Sequence, residues 1–418
     1  MTIDRPELFA MDSALESVNL THYHGNDITP SPGNANVNHY DEYETFYLRA
    51  RFITGLVFYP IVCIFGMTGN VMSIIVMSQR QMKSSTNTYL FALAISDLIK
   101  LFCDFLYFMV ILLFQIDTST GNKAYGILYP YAHYVFNSSL CISAWLIVSV
   151  AIERYVYVCH PTRVKSYCSI SKARTISASV FITMSILAVP YAMRYRTVDK
   201  LNNSTGQYEY DVIVTELWQN KLFTEIFTWF QNLMRSIIPL VILIILNTCI
   251  VYGLRRCRVF RSKSPKKHRI TSMLVTVIVV FLVCITPDTI MSTFFGLGYS
   301  EENYLARGIR EITDLLLLIN SAVNFIIYCI FNTIFWCHFR RLFCYTCLGR
   351  TPNVTDARNF SMLDARSAAY RRRSDMWHNV NTIMLLYFAQ TLLYIMIYSL
   401  NIINTKFTYL FYFIHVHH

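Results

Sequence analysis

Residues 139–161 read SLCISAWLIVSVAIERYVYVCHP. No charge appears from Ser139 to Ile152; Glu153 and Arg154 then stand side by side, and His160 and Pro161 close the apolar run. An ionised arginine is costly in hydrocarbon unless it is paired or solvated, so this is what a membrane edge looks like from inside the chain. The block extends upstream to about residue 125, and about 20 apolar residues suffice to cross a bilayer core.

Six further blocks have the same length and texture: about 52–78, 88–114, 173–193, 224–253, 270–296 and 308–332. Each is apolar around its whole circumference rather than striped, the pattern of a helix surrounded by lipid and protein. Pro190, Pro239 and Pro287 fall inside blocks four, five and six, where membrane helices tolerate proline as a kink. The 418 residues are 54% hydrophobic and only 15% charged, against about 25% charged in soluble domains. The formal charge of +11 lies in short stretches between apolar blocks, which argues against a nucleic-acid partner. The fold class expected is an all-α membrane protein, a bundle of seven transmembrane helices.

The loops set the orientation. RRCRVFRSKSPKKHR, residues 255–269, carries no acid; Arg163, Lys165, Lys172 and Arg174 separate blocks three and four, and Arg80 and Lys83 separate one and two. By the positive-inside rule these loops are cytoplasmic, and the amino terminus lies outside. Eight acids precede Arg49 against Arg5 alone. Residues 1–48 show no secretory signal pattern, so the first block is expected to act as a signal anchor in the plasma membrane. Glycosylation sequons at Asn19, Asn202 and Asn203 fall outside under this topology.

The expected organisation is an acidic outer tail over 1–50, the seven-helix domain over 51–347, a basic cytoplasmic tail over 348–376, and a hydrophobic extension over 377–418. FWCHFRRLFCYTC, residues 335–347, reads as a short amphipathic helix lying on the inner lipid surface, Arg340 and Arg341 toward the head groups. Cys344 and Cys347 are palmitoylation candidates there, or plain thiols. TIMLLYFAQTLLYIMIYSL, residues 382–400, is long enough for an eighth span, but its composition favours a splice or gene-model artefact or an isoform-specific tail.

The polar residues inside the blocks carry a resemblance. Glu153-Arg154-Tyr155 ends block three; block one has Gly69-Asn70-Val71; block two has NTYLFALAISDL with Asp97; block three has Ser143; block seven has NSAVNFIIY with Asn320, Ser321, Asn324 and Tyr328. In this order the chain resembles the rhodopsin-like (class A) G-protein-coupled receptors over about residues 50–347. The resemblance implies that Glu153 restrains Arg154 at rest, and that Arg154, Tyr155, Asn324, Tyr328 and the Pro287 kink take part in switching. It implies partners too: a heterotrimeric G protein, arrestin and membrane lipids. Asn70, Asp97, Ser143, Asn320, Ser321 and Asn324 match the family's buried sodium and water site. Independently, a carboxylate in mid-membrane is a functional candidate by default, and oxygen-rich neighbours suit a hard cation. The plainer reading is a neutral, hydrogen-bonded Asp97 joining helices.

Departures from the family pattern are specific. Phe325 replaces the proline of Asn-Pro-x-x-Tyr. Cys284-Ile285-Thr286-Pro287 lacks the sixth-helix tryptophan, Val180 takes the place of the fourth-helix one, Asn247 that of the fifth-helix tyrosine, and Lys267 that of an acid found in some members. The 12 cysteines leave residues 115–127, 194–223 and 297–307 empty, and Tyr129 stands where helix three usually holds its bridging cysteine. Loss of a bridge worth about 2–4 kcal/mol predicts a looser second loop.

For the ligand, Phe136 occupies the position of the amine receptors' aspartate and Leu318 that of the opsins' lysine, excluding both. Phe136, Arg235, Asp288, Glu311 and Asp314 are the pocket candidates. Arg235 and Asp288 read either as a salt bridge between helices five and six or as a polar floor where one carboxylate meets a ligand cation. HYDEYETFY, residues 39–47, either concentrates cationic ligands at the mouth or is a solvated tail. MKSSTNTYLFALAISDL and NSAVNFIIYCIF resemble invertebrate neuropeptide receptors of the FMRFamide type, which implies a small cationic peptide ligand. A lipid-sensing receptor of the same fold is the alternative. A transporter would show repeats and paired broken helices, and an enzyme a motif such as HExxH or GxSxG; the sequence shows none of these. No cofactor is expected beyond the sodium ion.

Overall fold

The computed structural model describes residues 35–201, 208–260, 265–295 and 304–344. The chain divides into two units, 1–339 and 340–418. Within the first, α1 runs from Ala35–Arg51 through a π-helical turn, Phe52–Phe58, into Tyr59–Met77. α2 is Ser85–Ile116, α3 Thr118–Cys159 and α4 Ile170–Leu187. A hairpin of β1 (Tyr195–Leu201) and β2 (Tyr208–Val214) separates α4 from α5, which joins Lys221–Asn232 to Ile238–Phe260 through the π turn Leu233–Ile237. α6 is Pro265–Phe295, α7 Tyr304–Phe331 and the short α8 Thr333–Phe339. In the second unit the described part is one π-helical turn, Arg340–Cys344.

Seven helices therefore stand where seven apolar blocks were expected. α2 packs on α1, α3 and α4, α3 on α5, and α7 on α1 and α6. Tyr43–Met77, Ser119–Cys159, Lys221–Ile250, Val275–Ser292 and Tyr304–Phe331 are each long and apolar enough to cross a membrane by length and composition. α2 carries Asp97, Lys100 and Asp104, and α4 has only 18 residues with Lys172 and Arg174 in its first turns. Burial is inverted relative to a soluble protein: Ile61, Ile64, Phe102, Ile182, Ile186, Ile244 and Ile245 point outward, while Asn70, Ser73, Ser96, Asp97, Lys100 and Ser236 are almost fully buried. Lipid replaces water around such a surface, and polar groups satisfy one another inside.

Several boundaries differ from the sequence reading, each for a local reason. α1 begins at Ala35 rather than near residue 51, and Tyr47 on it is buried against α7 (Tyr304 centroid 6.1 Å; Arg307 guanidinium 4.4 Å above the Tyr47 ring). The gap between blocks two and three contracts to Asp117, whose carboxylate accepts the Ser119 and Thr120 amides at 3.2 and 3.0 Å as an N-cap. Pro190 does not kink a span: α4 ends at Leu187, and Pro190 sits in a separate turn, Val189–Ala192. Pro130 lies inside α3 instead.

Where the missing bridge predicts a looser second loop, the structure has a hairpin. β1 and β2 pair antiparallel over seven residues each, Tyr195 opposite Val214 to Leu201 opposite Tyr208. The hairpin is anchored to α3 by packing in place of a bridge. Tyr129, in the usual cysteine position, stacks on Tyr125 (4.6 Å) and meets Tyr195 (5.0 Å), and Thr197 Oγ1 donates to the Gly126 carbonyl at 2.5 Å. Gly126 has to be small, since a Cβ there would lie 2.9 Å from the Tyr210 Cβ.

Candidate functional site

Three buried polar clusters run through the bundle. At the end where α3 finishes, Glu153 and Arg154 are both buried. Ser84 caps α2 by accepting the Asn87 amide at 3.1 Å, and this cap brings Ser85 and Thr86 to Glu153. Ser85 Oγ donates to Glu153 Oε1, and so does Thr86 Oγ1 at 3.2 Å. The Arg154–Glu153 contact is longer, 3.5 Å, and the guanidinium lies 5.2 Å over the Tyr157 ring, with Nε unmatched. Glu153 is thus held firmly by α2 and holds Arg154 loosely. Ser85, Thr86 and Tyr157 escaped the sequence reading, although a hydroxyl pair at a helix start is a legible cap signal. Tyr155 is half-buried and meets His160, ring centroids 5.4 Å apart. The side chain of Lys267 lies outside the described residues.

In the middle, Asp97 is fully buried. Its Oδ1 accepts from Ser143 Oγ at 3.1 Å and its Oδ2 from Asn324 Nδ2 at 2.7 Å, and the Ser321 hydroxyl also reaches it. Ser143 meets Ser96 at 3.1 Å, and Ser96 donates to the Ser139 carbonyl. Asn70 Nδ2 donates to the Gly66 and Ser321 carbonyls, both at 2.9 Å, leaving Oδ1 without a hydrogen bond. Asn320 is buried near by in sequence but is not brought into these contacts. The expected cluster is assembled, and a carboxylate, two hydroxyls and the orphaned Asn70 Oδ1 are the oxygen donors a hard cation needs. The altered signature in α7 is accommodated here: a Cβ on Gly69 would approach Phe325 Cβ to 2.8 Å, so the glycine of α1 makes room for the ring that replaces proline. Phe325 also meets Phe335 and Phe339, at 6.2 and 5.4 Å. Tyr328 is fully buried and its hydroxyl has no hydrogen-bond partner among the described residues.

At the hairpin end charges are paired, Arg235–Asp288 across helices and Lys100–Asp104 and Arg310–Asp314 each within one. Arg235, in the π turn of α5, meets Asp288 of α6 at 2.5 Å and Asn137 of α3 at 3.4 Å, all three buried. Of the two readings of Arg235 and Asp288, the geometry is that of the salt bridge. The same π turn frees the Met234 carbonyl, which accepts from Trp145 Nε1 at 2.9 Å. Asp288 directly follows Pro287, which lies within α6. Asp314 is 3.5 Å from Arg310 on α7, and Glu311 is half-buried beside it. Phe136 lies under the Lys100 ammonium at 4.9 Å, and Lys100 pairs with Asp104 at 2.7 Å. That pair is legible in the sequence as two opposite charges four residues apart in an apolar block, one turn from Asp97.

Asn19, Asn202, Asn203 and Cys347 lie outside the described residues, as does the side chain of Cys344. Cys63, Cys103, Cys141, Cys284 and Cys329, all within the helices, form no disulfide among the described residues.

The profile of the 7 transmembrane receptor (rhodopsin family) matches residues 69–328. The FMRFamide receptor of Drosophila melanogaster is 30% identical over 303 residues, 68% of this chain and 52% of that receptor, so the match spans about half that relative's length. The probable G-protein coupled receptor frpr-1 of Caenorhabditis elegans is 27% identical over 342 residues, 76% of this chain and 85% of that protein. The sex peptide receptor of Drosophila melanogaster is 25% identical over 336 residues, 71% and 73% of the two chains.

Proposed function

Since the chain belongs to the rhodopsin family of seven-transmembrane receptors, we propose that it transduces an extracellular peptide signal to a heterotrimeric G protein at the plasma membrane. The hairpin end of the bundle faces outward in this reading, with the amino terminus and the sequons at Asn19, Asn202 and Asn203. The Arg154 end and the basic residues 255–269 face the G protein, and arrestin after it. Cys344 and Cys347 anchor the segment after α8 to the inner leaflet as palmitoylation sites.

The observation that carries the reading is the series of buried polar contacts between helices: Arg235–Asp288, then Asp97 with Ser143 and Asn324, then Glu153 with Ser85 and Thr86. Each ties residues of different helices or turns, so a ligand that favours one packing of the outer ends biases the inner ends as well. The loosely held Arg154 is the group released. Asp97, Asn70, Ser143, Ser321 and Asn324 would hold a sodium ion, which supplies a charge that stabilises the packed arrangement. A peptide as ligand is supported by what the relatives' names say of them. A cationic one is supported by Glu311 and Asp314, one turn apart on α7, with Asp314 held only at 3.5 Å.

The test is a cell-based screen of amidated peptides with a promiscuous G protein, with lipids as the parallel set. A concentration-dependent response to at least one basic, amidated peptide is expected. Silence to every peptide together with a response to a lipid overturns the ligand class.

A further inference from the structure

His133 on α3, Tyr191 after α4 and Arg194 before β1 form one cluster, roofed by Tyr195 and walled by Trp218. The His133 ring packs edge-on against Tyr191 and Tyr195, centroids 5.0 and 5.2 Å away. The Arg194 guanidinium lies 4.9 Å from the Trp218 ring and 5.1 Å from that of Tyr195. Its Nη1 is 3.5 Å from His133 Nε2. A guanidinium only donates, so Nε2 is the acceptor and the imidazole hydrogen is assigned to Nδ1. The cluster then has three buried donors, His133 Nδ1–H, Arg194 Nε–H and Tyr191 O–H, none with an acceptor among the described residues. Tyr191 is only 1% exposed. Buried donors are nearly always matched, and a group that only accepts is the match for donors of this kind.

The local charges agree. The ionised side chains whose fields reach His133 are Arg194, Arg310 and Arg235. Asp288 reaches Tyr191 but is engaged by Arg235. Lys100, Arg235 and Arg310 each have a carboxylate within 4 Å; among the described residues Arg194 has none. We propose that His133, Tyr191 and Arg194 are a carboxylate-binding subsite that takes an acidic group of the ligand. A carboxylate carries no donor, accepts at both oxygens, and bonds more strongly to a guanidinium than a neutral acceptor does. The ligand part of this proposal rests on the peptide reading above; the subsite itself does not.

Two measurements separate them. In the first, the full-length receptor in detergent is melted with sodium acetate or with sodium chloride at equal ionic strength. A saturable, acetate-specific rise in Tm is expected. Arg194→Gln abolishes the rise, and Tyr191→Phe, which keeps the ring packing and loses only the hydroxyl, weakens it. No acetate-specific rise in the unmodified receptor means that the donors take water only, and overturns the subsite. In the second, Asp-Phe-Met-Arg-Phe-amide is compared with its Asn-leading twin, and the amide with the free acid, in the signalling assay. One carboxylate of the two is expected to raise potency roughly tenfold, and Arg194→Gln to erase that preference while sparing the peptide that lacks that carboxylate. Peptides that act without any such preference overturn the ligand role of the subsite. An acetate effect with no peptide response overturns the peptide reading and leaves the subsite standing for another carboxylate.

Discussion

Asp288→Asn isolates the best-defined ion pair of the bundle. Arg235 and Asp288 are 2.5 Å apart with side chains only 5% and 8% exposed. Removing one charge leaves a buried guanidinium facing a neutral amide and Asn137 at 3.4 Å. Breaking a buried pair from one side costs about 3–5 kcal/mol, and the remaining neutral acceptors return about 1 kcal/mol, which leaves a loss of roughly 2–4 kcal/mol. The shift is roughly 2–4 °C per kcal/mol at about 150–250 residues and about half that for a chain of 418 residues, so Tm falls by about 2–8 °C. Arg235→Gln should fall by a similar amount, and the double variant, a neutral amide pair, should recover most of the loss. Thermal melts of the detergent-purified single and double variants form the cycle that reads the coupling. Additive losses refute the pairing. An unchanged Tm with a collapse of agonist potency in Asp288→Asn refutes it differently, because Asp288 would then be a ligand contact.

Three further outcomes follow from other parts of the molecule. Arg154→Ala should abolish G-protein activation while agonist binding stays within a few-fold, read by nucleotide exchange against radioligand displacement; undiminished exchange removes Arg154 from the switch. Gly69→Ala places a Cβ 2.8 Å from Phe325 Cβ and should cost about 1–3 kcal/mol by overpacking, with Phe325→Ala restoring the melt in the double variant. Asp117 sits outside the spans, and its carboxyl is held below the ordinary range by hydrogen bonds from the Thr120 hydroxyl and from the Thr120 and Ser119 amides. A depressed carboxyl contributes above its unfolded pKa, about 3.9, and loses the contribution as pH falls below it. Hydrogen exchange at the Ser119 and Thr120 amides, corrected for intrinsic rates, should therefore accelerate below about pH 4 and at every pH in Asp117→Ala.

The seven helices were legible because hydrocarbon forces one solution on a long apolar segment, whatever its neighbours do. The Asp97 cluster was legible for a related reason: its members are polar residues with no other excuse for standing in apolar blocks. Boundaries were less so. Asp117 looks like part of a loop, and only the meeting of two helix ends makes it a one-residue connection and a cap. Ala35–Arg51 looks like a polar tail, because its burial depends on Arg307 and Tyr304 of α7, far away in sequence. The Lys100–Asp104 pair was visible in spacing but not in meaning, since the Phe136 ring that completes it comes from another helix. His133, Tyr191, Arg194 and Trp218 were invisible for the same reason. They come from α3, a turn, a strand approach and the short helical turn Glu216–Gln219 before α5, and no local pattern joins them.

The anchoring of the hairpin bears on how the outer half responds to a ligand. A disulfide restricts the unfolded chain chiefly, and contributes about 2–4 kcal/mol whether or not the loop packs well. Here the tie consists of the Tyr129–Tyr195 and His133–Tyr195 ring contacts and the Thr197–Gly126 hydrogen bond. Aromatic pairs are worth about 0.5–1.5 kcal/mol each and a hydrogen bond about 1 kcal/mol, so the sum is comparable with the bridge it replaces. The difference is that these contacts exist only in the packed state and can be given up one at a time. Tyr195, which holds the hairpin side of this tie, and its neighbour Arg194 also bound the carboxylate subsite with His133. A ligand acid seated there adds its bonds to the packed state alone, and by linkage stabilises the hairpin against α3. In a receptor with the covalent bridge that energy would find the loop already tethered; in this one it is coupled to how the loop packs.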